Sequence, residues 1–157
     1  MTVSYNPEIA TELINQFGAR PEMLVQILRL FMDRYGHIGD EAIRQLASEL
    51  NLSRAEVHGV VSFYHDFRTE PAGRRVIKIC QAESCQAMGS QALTAHAEAS
   101  LGVSLNETTE DGATTLEPVY CLGNCACSPA VMVGDRVYGR VDAKGLDRII
   151  AAQVSDD

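Results

Sequence analysis

Apolar residues fall three and four apart along the first part of the chain, the spacing that lines them up on one face of a helix. Ala10, Leu13, Ile14 and Phe17 repeat this way up to Gly18, behind Asn6-Pro7, a capping residue followed by a proline at the first helical position. Pro21 opens a second helix in the same manner, with Leu24, Ile27, Leu28 and Phe31 as its apolar stripe and Gly36 near its end. Ile43, Leu46, Ala47 and Leu50 mark a third. Ser53-Arg54-Ala55-Glu56 starts a fourth as a capping box, in which serine and glutamate satisfy each other's free backbone amides. Val57, Val60, Val61, Phe63, Tyr64 and Phe67 give that helix a stripe too wide for one neighbour to cover, so packing on two sides is expected, with Phe63, Tyr64 and Phe67 read as core and a partner surface as the alternative. Residues 1–70 thus predict a helical bundle, closed by the turn sequence Glu70-Pro71-Ala72-Gly73.

From Arg75 the character changes. Val76-Ile77-Lys78-Ile79-Cys80 is a β-branched run that reads as a strand delivering Cys80 at its end. Met88 to Leu101 is helical in period, with Leu93, Ala97 and Leu101 on one face and Gly102 as the stop. Asn106 to Gly112 is polar and predicts a surface loop, before Thr114 to Tyr120 forms a second strand leading to Cys121. Pro118 inside that run points to an edge position. Ala130 to Val133 and Arg136 to Gly139 flank Gly134-Asp135 as a hairpin, and Asp142 can cap a last helix carrying Leu146, Ile149 and Ile150. The order β, α, β, β, α is compatible with a small thioredoxin-like sheet covered by helices over residues 75–157. The expected class is α+β, a helical bundle followed by a thioredoxin-like α/β domain.

Composition narrows the function. Hydrophobic residues make up 46% and charged residues 22%, the balance of a folded chain. A net charge of −8, with the Lys and Arg residues scattered, argues against a nucleic-acid partner. Met1-Thr2-Val3-Ser4-Tyr5 lacks a basic region followed by an apolar run, and no apolar stretch is long enough to span a membrane, so a cytoplasmic location is expected. In that reducing compartment five cysteines read as ligands or free thiols rather than disulfides.

Four of them are paired. Cys80 and Cys85 stand in a C-x4-C and Cys121 and Cys125 in a C-x3-C, both in loops expected after strands, where a sheet can position ligands and loop amides can point at sulfur. Single zinc ions are usually held by tighter C-x2-C knuckles, whereas these looser spacings suit a two-iron cluster. No histidine lies within either loop, which disfavours a Rieske centre. Buried free thiols and a zinc site remain the alternatives. Cys127 reads as a buried or neighbouring thiol rather than a ligand. His37, His58, His65 and His96 form no metal motif, and the chain carries neither G-x-G-x-x-G, nor a phosphate-binding G-x-x-x-x-G-K-[ST], nor C-x-x-C. No catalytic residue is assigned; substrate chemistry would belong to a partner.

Cys80-x4-Cys85 with Cys121-Leu122-Gly123-x-Cys125 and Pro129, behind a helical module ending Phe63-Tyr64-x-x-Phe67, resembles the thioredoxin-like [2Fe-2S] subunit family over nearly the whole chain. That family includes the small iron-sulfur subunit of respiratory complex I, the corresponding subunit of NAD-reducing hydrogenases and the gamma subunit of NAD-dependent formate dehydrogenases. His58 to Phe67 and Cys125-Ala126-Cys127-Ser128-Pro129 look most like the last of these. The resemblance implies one [2Fe-2S] cluster on Cys80, Cys85, Cys121 and Cys125, a flavin- and NAD-binding partner subunit, and a formate-oxidising subunit. A zinc-stabilised interaction module and a free ferredoxin-like shuttle are the competing functions.

Overall fold

Asn6 accepts hydrogen bonds from the Glu8 and Ile9 amides at 2.8 and 3.2 Å, so helix α1 (Pro7–Asn15) begins with its first orphan donors satisfied. A single 3-10 turn over Pro21–Met23 leads into α2 (Leu24–Tyr35), followed by α3 (Asp40–Glu49) and α4 (Arg54–Phe63). At the start of α4 the Ser53 amide donates to Glu56 Oε2 at 2.8 Å and the Glu56 amide to Ser53 Oγ at 3.2 Å, which completes the capping box. The computed structural model describes residues 4–154, and their contacts divide the chain into two compact units, one ending at Ala72 and the other beginning at Gly73.

In the helical unit the apolar stripes meet in one core. Ile14, Ile27, Leu28, Phe31, Leu46, Leu50, Val57 and Val61 are each at most 1% exposed. Gln45 on α3 fastens α1 by donating from Nε2 to Pro7 O at 2.8 Å and Thr11 Oγ1 at 2.9 Å. The wide stripe expected of α4 is corrected here. Only Val57 and Val61 are fully buried on that helix, with Val60 and the later Phe67 partly buried against the same core, while Phe63 at its end and Tyr64, already extended, face outward. Phe63 is 74% exposed and Tyr64 43%, their rings edge-on at 5.2 Å.

The second unit is built on a five-stranded sheet of order β2-β3-β1-β4-β5, formed by β1 (Arg75–Cys80), β2 (Glu107–Thr108), β3 (Thr114–Val119), β4 (Val131–Val133) and β5 (Arg136–Tyr138). β1 and β3 run parallel, as a helical crossover between them requires, while β4 lies antiparallel to β1 and returns through the Gly134-Asp135 hairpin. Ile77, Ile79, Leu116, Val131 and Val133 bury their side chains with Leu93 and Ala97 of α6 (Ser90–Leu101) and Leu146 of α7 (Ala143–Val154). Asp142 caps α7, accepting from the Gly145 amide at 2.7 Å.

Three expectations change. The helix expected from Met88 is preceded by a separate one, α5 (Glu83–Ala87), and Gly89 stands between them. Five residues are too few to show a period, so the sequence hid it. The loop expected at 106–112 holds the short strand β2, which makes β3 an interior strand rather than an edge. Pro118 is tolerated because β2 pairs with β3 only at Thr115 and Leu116, whose carbonyl accepts from Asn106 N at 2.7 Å, so the proline lies past the end of β2. Among the described residues no helix is long and apolar enough to cross a membrane.

Candidate metal centre

The C-terminal ends of the parallel strands β1 and β3 deliver the first cysteine of each pair. Cys80 closes β1, its amide bonded to Ala130 O at 3.0 Å, and the next amide, Gln81 N, reaches Val119 O at 2.7 Å. Cys121 follows β3 by two residues, with φ at +141°, a region non-glycine residues rarely adopt and which costs about 1–3 kcal/mol. Gly123, at φ +71°, turns the loop back so that its amide donates to Cys121 Sγ at 3.3 Å. Cys85 does not lie in a loop as expected; it sits in α5, and Cys125 opens a 3-10 turn over Cys125–Cys127.

These elements bring four sulfurs together as two pairs. Cys121 Sγ and Cys125 Sγ are 3.8 Å apart, and Cys80 and Cys85 act on each other's titration, Cys85 pushing Cys80 up and Cys80 holding Cys85 down. The pairs are near enough for the Cys85 charge to act on Cys125. Cys80 and Cys85 are buried, each 2% exposed, whereas Cys121 and Cys125 are exposed.

Burial pushes the Cys80 thiol up from its ordinary value, against the Ala82 and Leu122 amides that point at its sulfur. Cys85 feels the same desolvation, but the Ser128 hydroxyl, the Ala130 amide and Cys80 together hold it below the usual thiol range. Cys125 is pushed up by its hydrogen bond with Cys121 and then by that neighbour's charge. Leu122 from the second loop acts on Cys80, and Ser128 and Ala130 act on Cys85, so the second loop and the strand after it contribute to the surroundings of the first pair.

This donor set fits an iron-sulfur cluster. Soft thiolates suit iron-sulfur and zinc chemistry, and N–H groups aimed at sulfur stabilise the charge of a ligand thiolate. Two metal–sulfur bonds of about 2.3 Å at a tetrahedral angle set their sulfurs about 3.8 Å apart, which the exposed pair already satisfies. Among the described residues no three His, Cys, Asp or Glu side chains are grouped to hold one ion; the arrangement is of pairs.

Cys127 is half-buried and its amide donates to Asn124 O at 2.9 Å. The chain leaving β5 runs hard against it: a Cβ at Gly139 would lie 2.6 Å from Cys127 Cβ, 2.7 Å from Asn124 Nδ2 and 2.9 Å from Cys127 O. That close approach lets Arg140 N bond Cys127 O at 2.6 Å and Val141 N bond Pro129 O at 3.1 Å, strapping the second loop to the sheet. Gly139 and the hydroxyls of Ser84 and Ser128 are the site residues that sequence reasoning missed. A serine beside Cys85 and another beside Pro129 were the only signal.

The family model described as thioredoxin-like [2Fe-2S] ferredoxin matches residues 10–153. The chain belongs to this family. Among its relatives is a subunit of an NADH-quinone oxidoreductase of Rhizobium meliloti (strain 1021), 37% identical over 135 residues, which span 86% of this chain and 80% of the relative. A subunit of the NADP-reducing hydrogenase of Solidesulfovibrio fructosivorans, HndA, is 31% identical over 140 residues, 89% of this chain and 82% of the relative. The fold recurs in the crystal structure of an NAD+-reducing [NiFe]-hydrogenase in the air-oxidised state, with a TM-score of 0.71 at 23% identity. The match covers 88% of this chain and about a quarter (24%) of that longer one. As a thioredoxin-like [2Fe-2S] ferredoxin, the chain takes a two-iron, two-sulfide cluster as its cofactor.

Proposed function

We propose that this chain is a non-catalytic electron-transfer subunit of an NAD-linked oxidoreductase complex, holding its [2Fe-2S] cluster on Cys80, Cys85, Cys121 and Cys125. The observation that carries the reading is the delivery of the cysteines as two pairs from the ends of β1 and β3, with Cys121 Sγ and Cys125 Sγ 3.8 Å apart and the Gly123 amide donating to Cys121 Sγ. Such a cluster accepts and returns one electron at a time. The protein's part is to bury one cysteine pair, to aim amides at sulfur, and to leave the other pair at the surface where a partner can approach. Tyr120 and Met88, 60% and 63% exposed, lie near the exposed pair in sequence or beside the cleft of about 720 Å³ that Cys125 lines. Apolar groups of this kind suit a protein partner.

The partner in this reading is a flavin- and NAD-binding subunit, in a cytoplasmic complex; the five cysteines, all unbridged, agree with a reducing compartment. The similarity to NADH-quinone oxidoreductase and hydrogenase subunits supports a complex I type or hydrogenase type assembly. The formate dehydrogenase assembly, with its formate-oxidising subunit, rests on the stretches 58–67 and 125–129 alone, and the other two fit at least as well. Purification of the tagged chain from its native cell tests all three. A co-purified flavoprotein through which NADH bleaches the cluster is expected, and whether formate, hydrogen or a quinone also reacts names the complex. A chain that purifies without a flavoprotein, its cluster inert to NADH, would contradict the proposal.

A further inference from the structure

Two hydroxyls lie between the two cysteine loops. Ser128, 7% exposed, has its Oγ 3.5 Å from Cys85 Sγ, 2.9 Å from the Cys125 carbonyl oxygen and 2.8 Å from Ser84 Oγ. Ser84 Oγ is itself 3.1 Å from the same Cys125 carbonyl. Ser84 belongs to α5 beside Cys85, and Ser128 to the loop of Cys125, so this pair ties one ligand loop to the other.

Each hydroxyl has one proton to donate, and both can give it to one carbonyl. While Cys85 is a thiol, its S–H donates to Ser128 Oγ and the Ser128 proton goes to Cys125 O. A metal-bound cysteine has lost that proton and its sulfur only accepts. Ser84 can then satisfy Cys125 O, and the Ser128 O–H is released to turn onto Cys85 Sγ.

We propose that Ser128 raises the reduction potential of the cluster by donating its hydroxyl proton to Cys85 Sγ, and that Ser84 is the positioning residue that makes this proton available. The inference rests on the four-cysteine reading above. Its basis is that reduction adds negative charge to the cluster, and a donor to a ligand sulfur stabilises that charge. Ser84 acts through Ser128: without it the Cys125 carbonyl draws the Ser128 proton back.

The test is a potentiometric titration of the cluster signal in wild type, Ser128→Ala, Ser128→Thr, Ser84→Ala and the double alanine variant, purified with the cluster in place. Ser128→Ala is expected to lower the midpoint potential, Ser128→Thr to hold it near wild type, and Ser84→Ala to lower it as well. The double variant should lie no lower than Ser128→Ala, since both changes remove the same hydrogen bond. Clusters that titrate at the wild-type potential in Ser128→Ala, or a double variant whose shift is the sum of the single ones, would overturn the inference and leave the cluster assignment standing. Should Ser128→Ala fail to fold, the comparison of Ser84→Ala with Ser128→Thr decides, because only the first is expected to shift. Absence of a two-iron spectrum in wild type would overturn the four-cysteine reading and the inference together.

Discussion

At Gly139 a single missing methyl group decides how closely the chain leaving β5 can approach the second cysteine loop. Alanine there would place its Cβ within 2.6 Å of Cys127 Cβ, among backbone and short side chains that have little room to give. Gly139→Ala is therefore expected to destabilise the second unit by about 1–3 kcal/mol, the range for forcing an extra carbon into a packed site, and to speed loss of iron to a chelator. Unchanged iron retention and an unchanged melting temperature would contradict it. At the other end of the chain, burial, then the Tyr35, Glu49 and Glu41 charges, push the Tyr5 phenol up to about 12 from an ordinary 10.0. A folded pKa above the unfolded one means that the neutral phenol is the form the fold favours. Its contribution is present in full below pH 10 and is lost as pH rises from there through about 12. Tyr5→Phe should flatten the alkaline limb of a stability-against-pH curve in that window; identical limbs for the two proteins would refute this.

Elements long enough to show a period were legible in the sequence, and those shorter than a period were not. α1 to α4 each carry two or more apolar repeats, with start signals at Asn6 for α1 and Ser53 for α4, and their buried stripes share one core that includes Phe31, which is fully buried. Phe31→Ala should cost the helical unit about 3–5 kcal/mol in denaturant unfolding, the price of a large core cavity; a loss under about 1 kcal/mol would mean the core closes over the gap. α5 and β2, five and two residues long, left no trace in the spacing of apolar residues. The site shows the same division. Cys80, Cys85, Cys121 and Cys125 stand out by spacing, whereas the Ser84–Ser128 pair exists only once α5 is folded against the second loop, 44 residues apart in sequence. The outward placement of Tyr64 was misread because apolar spacing continues past Phe63, the last helical residue, while Tyr64 is already extended.

For the molecule as a whole, the chain forms two units with separate cores. The helical unit ends at Ala72 and carries exposed Phe63 and Tyr64; the sheet unit, from Gly73, carries every cysteine. The relatives among NADH-quinone oxidoreductase and hydrogenase subunits match across more than four-fifths of the chain, so the family likeness extends beyond the cysteine loops. The central claim is that four thiolates in two pairs hold one two-iron cluster. Electron paramagnetic resonance of the dithionite-reduced protein, purified without oxygen and assayed for metals, tests it most directly. The account predicts a two-iron signal with about two irons per chain, lost or altered when any one of Cys80, Cys85, Cys121 and Cys125 is changed to alanine and retained in Cys127→Ala. A silent spectrum with about one zinc per chain, or a signal that depends on Cys127 in place of one of the four, would contradict it.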